Sequence, residues 1–215
     1  INAMINWLHK RSETYLNAFE FKPIKKIDRG DDDLRRSIFD ENEIWRIREA
    51  LEKYVTDAKR NLDTEGNLSK FVTGSYLLIS MITGMRRGEQ LQLQWKHVGF
   101  KTKAVKGGSE DDAFNMVKIH IPAEITKVRK TRHLYVHDNQ YFQTLQDVLK
   151  RRFISENGNA NGFAETLVFS QNGKSAITFR AISYHLDKII EIANIKDVEK
   201  RDLVPYSFRH SVVVN

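Results

Sequence analysis

Residues 83–95 read TGMRRGEQLQLQW and lie where a strongly apolar stretch gives way to charged side chains. The glycine at position 84 stands just past that apolar stretch, where it can close a helix, so we predict that a helix ends at Thr83-Gly84. Arg86 then follows a turn, and a short helix is expected over residues 87–93. Glu89 shares the helix face of Arg86, and its carboxylate can hold the guanidinium of Arg86. The alternative is a surface Arg–Glu pair, which stabilises a helix by only a few tenths of a kcal/mol.

The elements on either side of this segment predict a mainly α fold with a small sheet (α+β). Upstream, the helix that ends at Gly84 has apolar residues from Phe71 to Ile82. It follows a polar loop over residues 61–70. Before that loop comes a helix capped by Asp40, with these apolar positions at three- and four-residue steps: Ile44, Ile47, Ala50, Leu51 and Tyr54. Downstream, three antiparallel strands are predicted over residues 98–105, 116–121 and 132–136, followed by helices over 141–154, 178–192 and from about Ser207.

Composition limits the function without naming it. The 215 residues contain 35 Lys and Arg against 28 Asp and Glu, which gives a net charge of +7. A basic balance favours a polyanionic partner and carries no information about chemistry. The absence of cysteine excludes disulfides, thiolate nucleophiles and cysteine-ligated zinc, and it favours an intracellular, cytoplasmic setting. No apolar run approaches the roughly 20 residues of a membrane span, so no membrane association is expected.

Two further segments carry basic residues that suit phosphate chemistry. Residues 126–136 read TKVRKTRHLYV, a turn that leads into a strand, and four of the seven residues from 127 to 133 are Lys or Arg. Residues 204–211 read VPYSFRHS and open the last predicted helix. Taken alone, the first could be a solvated basic hairpin, and the arginine of the second could simply contact solvent at a helix start.

Together the three segments resemble the catalytic domain of the tyrosine recombinases, the phage integrase family. The first matches a Thr-Gly-x-Arg-x-x-Glu box followed by a Leu-rich run and a Trp. The second is similar to a hairpin in which a Thr-Lys turn precedes an Arg-rich strand, and the third to a His-x-x-Arg-His motif. The resemblance implies the tyrosine recombinase catalytic-domain fold and site-specific DNA recombination through a 3′-phosphotyrosine intermediate, with no metal and no cofactor.

The resemblance also implies a role for each matching residue. Arg86 and Arg209 would hold the scissile phosphate, with Glu89 positioning Arg86. Lys127 would protonate the departing 5′ oxygen, a suitable task for a flexible ammonium on a tight turn. Non-specific contacts to the DNA backbone would come from other basic side chains of the first and second segments, such as Arg87, Arg129 and Lys130.

The third motif departs from the common pattern, because Tyr206 stands where the family usually has His. A phenol can donate a hydrogen bond to a phosphate oxygen, but its ordinary pKa of about 10 makes it a poorer proton shuttle than imidazole. Tyr206 is therefore expected to bind phosphate or to be structural. His210 is expected to pack and hydrogen-bond beneath the site.

The resemblance divides the chain into residues 1–36, a linker or the tail of an upstream DNA-binding domain, and residues 37–215, a C-terminally incomplete catalytic domain. The family's nucleophilic tyrosine has no counterpart among the 215 residues, so this stretch alone is expected to bind DNA without cutting it. A non-cleaving DNA-binding relative is the alternative function, and a basic scaffold protein is a third. The partners implied are double-stranded DNA and further protomers assembled on it.

A metal pair at His133 and His137 was considered as well, since the two residues have the spacing of a helical metal site. Both lie in or beside a predicted strand, and no nearby Glu-x-x-His motif supports a metal site. No metal site is therefore predicted.

Overall fold

The computed structural model describes residues 2–15, 39–64, 66–103, 114–138, 140–198, 201 and 203–208. The chain divides into two compact units, residues 1–35 and residues 36–215. The first unit contains the helix α1 (Asn2–Lys10), which the sequence did not predict. This helix has nine residues, fewer than the roughly 12–15 that an isolated helix needs to be stable. Its sequence pattern alone is therefore a weak indication of a helix.

The second unit is mainly helical with a three-stranded antiparallel sheet, as predicted. Its principal helices are α2 (Glu41–Arg60), α3 (Asn67–Thr83), α4 (Arg87–Leu91), α5 (Tyr141–Asn157) and α6 (Phe179–Ile192). Its strands are β1 (Val98–Lys103), β2 (Phe114–Ile121) and β3 (Arg132–His137), and short 3₁₀ helices occur at Trp95–His97, Ala123–Ile125 and Phe163–Glu165.

The ends of α2 and α3 follow from their capping residues. Asp40 caps α2, because its carboxylate accepts the backbone N–H of Glu43 at 2.8 Å while the Glu43 carboxylate accepts the N–H of Asp40 at 3.0 Å. Gly84 ends α3 in the left-handed conformation (φ 56°), as predicted. The start of α3 was placed too late, since the helix begins at Asn67, directly after the left-handed Gly66.

Helix α3 is the centre of the core. It packs against α2, α5 and α6, and most of its side chains are buried, including Phe71, Leu77 and Ile79. Helix α2 contributes the buried face predicted from its spacing, with Ile47 and Leu51 fully enclosed. Among the described residues, no helix has the length and apolar character needed to cross a membrane.

The sheet has the order β1-β2-β3, and its register determines which side chains face the core. Val117, Ile119 and Ile121 of β2 are fully buried on one face. His120 pairs across the sheet with His133 on the other face, where His120 Nδ1 lies 3.0 Å from His133 Nε2. Strand β3 alternates between half-buried and exposed residues from Arg132 onward, so Arg132 starts its half-buried face.

Two of the remaining element predictions need small corrections. The short helix α4 ends at Leu91, two residues before the predicted end, and α5 extends to Asn157. The helix predicted from Ser207 onward lies outside the described residues beyond position 208.

Candidate active site

A pocket of about 520 Å³ lies between the end of α3, the start of α4, the β2–β3 connection and the start of α6. Four residues predicted for the site line it together: Arg86, Arg87, Lys127 and Tyr206. Arg209 and His210 lie outside the described residues. The pocket therefore brings the cationic side chains of Arg86, Arg87 and Lys127 and the phenol of Tyr206 to the same cleft from three distant parts of the sequence.

Arg86 directly precedes α4, and both its backbone N–H and its guanidinium contact the carboxylate of Glu89. Its N–H donates to Glu89 Oε2 at 3.0 Å, and its guanidinium Nη1 lies 3.4 Å from Glu89 Oε1. The Arg86 side chain is 38% exposed, whereas that of Glu89 is 1% exposed. Arg86 thus borders the pocket while the carboxylate that holds it is buried, as the helical spacing of the two residues predicted.

A second arginine, Arg132, binds the same carboxylate, although it was not among the predicted site residues. Arg132 Nη2 donates to Glu89 Oε2 at 2.7 Å. The half-buried face of β3 carries Arg132, Leu134 and Val136, and this alternation is a signal in the sequence that Arg132 points toward the core. A guanidinium on such a face requires an anionic partner, and Glu89 supplies it.

Lys127 lies in a turn closed by Thr126. The Thr126 hydroxyl donates to the carbonyl of Ala123 at 3.1 Å and accepts the N–H of Lys130 at 3.1 Å. Lys127, Arg129 and Lys130 are all exposed, and Arg129 has a positive φ of 50°. The turn therefore presents its cations to solvent, with Lys127 on the side that borders the pocket.

Tyr206 belongs to a segment that is anchored on both sides. Next to it, Ser207 Oγ accepts the N–H of Val204 at 3.2 Å, and the ring of Phe208 stacks on Phe39 with 5.0 Å between centroids. Before it, Arg201 binds Glu43 of α2 through two hydrogen bonds. Tyr206 itself is 40% exposed at the pocket.

The remaining wall combines a cation on an aromatic ring with a buried phenol. The guanidinium carbon of Arg87 lies 4.6 Å from the centroid of Phe179, the first residue of α6, in a cation–π arrangement. Burial raises the pKa of Tyr76 to about 12, so this phenol stays protonated across the physiological range. Phe179 was not predicted for the site, and its position at a helix start carries no local signal of a pocket.

The arrangement is suited to binding an anion with several oxygen atoms. Arg86 offers N–H donors from a fixed position, Lys127 a mobile ammonium, and Tyr206 a hydroxyl. Glu89 is shared between two arginines, so the acid neutralises only part of the positive charge near the pocket. A phosphate group matches this set of donors better than a neutral ligand does.

Comparison with known proteins identifies the fold. The model of the phage integrase family matches residues 38–215. A structure of the XerH site-specific recombinase bound to palindromic difH substrate, in a post-cleavage complex, has a TM-score of 0.61 and 19% identity, covering 97% of this chain and 51% of that chain. A second, bound to difH substrate in a pre-cleavage complex, has a TM-score of 0.53 and 20% identity, covering 81% and 41%.

At these low identities, the structural similarity shows a shared fold. The chain spans about half the length of the first of these recombinases. No protein of curated function matches the chain.

Proposed function

The chain belongs to the phage integrase family of tyrosine recombinases, and on that premise we propose that it contributes the phosphate-binding part of a site-specific DNA recombinase active site. The reaction is cleavage and rejoining of duplex DNA through a 3′-phosphotyrosine intermediate. The observation that carries the proposal is that Arg86 and Lys127 border one pocket, with Arg86 held by the buried Glu89.

In this proposal Arg86 binds the scissile phosphate and stabilises the charge that accumulates on its oxygens in the transition state. Preorganised donors of this kind usually supply the largest catalytic contribution. Lys127 donates a proton to the departing 5′ oxygen, and its exposed position in a turn lets the ammonium reach a bound strand. Glu89 acts on the reaction only through Arg86.

The third motif supplies the remaining phosphate contacts. Tyr206 is proposed to donate a hydrogen bond to a phosphate oxygen, and Arg209 to complete the pair of arginines, with His210 supporting it. The attacking tyrosine is proposed to be a residue other than Tyr206, because Tyr206 precedes Arg209 in the motif order and is proposed to bind phosphate. Attack by that tyrosine forms the bond to phosphorus as the 5′ oxygen leaves, so the phosphodiester energy is conserved without ATP.

Double-stranded DNA is the proposed partner, with several protomers assembled on paired sites. Arg87 lines the pocket, while Arg129 and Lys130 are exposed on the turn that carries Lys127. These three residues would contact the DNA backbone without reading its sequence. Their contribution should depend strongly on salt, because each phosphate contact releases counterions. Residues 1–36 are proposed to connect this catalytic domain, from residue 37 onward, to a preceding DNA-binding domain.

The test begins with the target site and uses the protein at its natural length. The protein is incubated with sheared genomic DNA from its source organism, and fragments that stay bound after denaturation are sequenced. A recovered site is then prepared as a nicked duplex, which prevents religation and accumulates the covalent complex. If no covalent adduct forms with any fragment, the cleavage proposal is wrong and the non-cleaving relative takes its place.

The roles of Arg86 and Lys127 are separated by replacing the bridging 5′ oxygen with sulfur. A thiolate leaves readily at neutral pH, since a thiol has a pKa of about 8.5 and needs no proton donor. Lys127→Ala should slow cleavage of the oxygen substrate by about 10²–10⁴-fold and be largely rescued by sulfur. Arg86→Ala should be slow with both substrates.

Lys130→Ala is the matched control, because it removes an exposed cation from the same turn. Loss of this proposed backbone contact should affect the oxygen and sulfur substrates equally, so sulfur should give no rescue. Equal defects of Lys127→Ala on both substrates would contradict the proton-donor role, while leaving a phosphate contact by Lys127 intact.

A further inference from the structure

Glu89 is a buried carboxylate that lies between two guanidinium groups from different elements. Its Oε2 is 2.7 Å from Arg132 Nη2, whereas its Oε1 is 3.4 Å from Arg86 Nη1. Arg132 belongs to β3 and Arg86 precedes α4. The shorter bond is therefore made to the arginine that does not border the pocket.

This difference matters for the charge that Arg86 can offer a ligand. A carboxylate enclosed by protein binds tightly to whatever cation is available, because it has lost its hydration. With Arg132 as its shorter contact, Glu89 holds Arg86 mainly through the backbone N–H and one long guanidinium contact. The guanidinium of Arg86 contacts Glu89 through Nη1, and the three charged groups together keep a net positive charge.

The same contact links the two cationic parts of the site. Lys127 lies in the β2–β3 connection, and Arg132, five positions later, is the first residue of β3 and joins that strand to α4 through Glu89. The turn that carries Lys127 is otherwise exposed. The buried bond therefore sets where the start of β3 lies relative to Arg86.

We propose that Arg132 is a positioning residue, which binds Glu89 so that Arg86 is oriented toward phosphate and the Lys127 turn is held beside it. The inference rests on the proposed function and adds a residue that contacts no substrate. Without Arg132, Glu89 would draw the Arg86 guanidinium fully to itself, and the affinity of the pocket for phosphate would fall.

The experiment is a double-mutant cycle on this chain, read as affinity for a fluorescent duplex oligonucleotide at fixed salt. The variants are Arg132→Gln, Arg86→Ala and the combination of both. Arg132→Gln should weaken binding by about tenfold, or about 1.4 kcal/mol. In the Arg86→Ala background, the same change should weaken binding no more than the control Arg129→Gln, which removes an exposed charge near Arg132.

Two further measurements separate positioning from a folding defect. Arg132→Lys keeps a cation beside Glu89 and should recover most of the lost affinity. Melting temperatures identify any variant that fails to fold, and if Arg132→Gln does not fold, the cycle is run with Arg132→Lys, whose smaller loss should vanish in the Arg86→Ala background.

Three other binding results would contradict the positioning role of Arg132, and each has a different meaning. Equal large losses from Arg132→Gln in both backgrounds would mean that Arg132 contacts DNA itself. A loss no larger than that of Arg129→Gln would mean that Glu89 needs no second arginine, while a large effect of Arg86→Ala would preserve the proposed function. If Arg86→Ala weakens binding no more than Arg129→Gln, the phosphate site is wrong and Arg132 has nothing to position.

Discussion

Replacing Arg201 with methionine should destabilise the second unit by about 2–4 kcal/mol. Arg201 Nη1 and Nη2 donate to the two carboxylate oxygens of Glu43 at 2.6 and 2.9 Å, and Glu43 is only 6% exposed. Breaking a buried pair costs about 3–5 kcal/mol, because the remaining charge loses its partner. The Arg201 side chain is 27% exposed, so water moderates that cost. Methionine retains much of the aliphatic stem, so the change mainly removes the charge.

The free energy of unfolding is measured by urea denaturation at neutral pH. The double variant Glu43→Gln/Arg201→Met should be more stable than Arg201→Met alone, since it leaves no uncompensated carboxylate. Arg60→Met is the matched control, because Arg60 pairs with Asp57 on the surface with 75% of its side chain exposed. That change should alter stability by less than about 1 kcal/mol.

The pH dependence gives an independent check. The hydrogen bonds from Arg201 lower the pKa of Glu43 below its ordinary value of 4.5. A lowered carboxyl pKa stabilises the folded state above the unfolded pKa, and this stabilisation is lost as pH falls through the folded pKa. The difference between wild type and Arg201→Met should therefore be full at neutral pH and shrink below about pH 4.5. A difference that is small at neutral pH, or that does not change on acidification, would refute the reasoning.

Two other changes test the packing of the helices. Gly74→Ala places a Cβ 2.6 Å from Val55 Cγ2, so it should destabilise the chain by about 1–2 kcal/mol after the gain in helix propensity. Gly88→Ala meets no atom within 4 Å and should not lower the melting temperature. Burial lowers the pKa of His185, whose Nδ1 lies 2.7 Å from the Tyr54 hydroxyl. Stability should therefore fall as pH decreases below about 6.5, and urea midpoints of His185→Gln should show a smaller decrease.

The start of α2, the end of α3 and the turn that carries Lys127 could be predicted because they depend on neighbouring residues. Asp40 caps α2 through a residue three positions away, and Gly84 supplies the positive φ that ends α3. Glu89 lies in the first turn of α4, three positions after Arg86, which directly precedes that helix. In each case the spacing in the sequence fixes the geometry, so the prediction required no knowledge of the tertiary fold.

Contacts between strands and helices could not be read in the same way. His133 was considered as a partner of His137, but the register of β2 and β3 places it opposite His120. The bond from Arg132 to Glu89 joins a strand to a helix and depends on how the sheet packs beside α4. Alternation along β3 indicates which face Arg132 occupies, but not which acid it meets.

The buried acid also explains how the cationic site can exist before a ligand binds. Arg86 and Lys127 border one pocket and Arg132 lies behind it, so like charges are brought together at a cost to the folded state. Glu89 offsets part of that repulsion, and its near-complete burial keeps it from neutralising the pocket surface itself. An exposed acid at the same place would compete with phosphate for Arg86. Enclosing one carboxylate between two arginines leaves these three groups with a net positive charge, which is the condition that the proposed binding of a DNA phosphate requires.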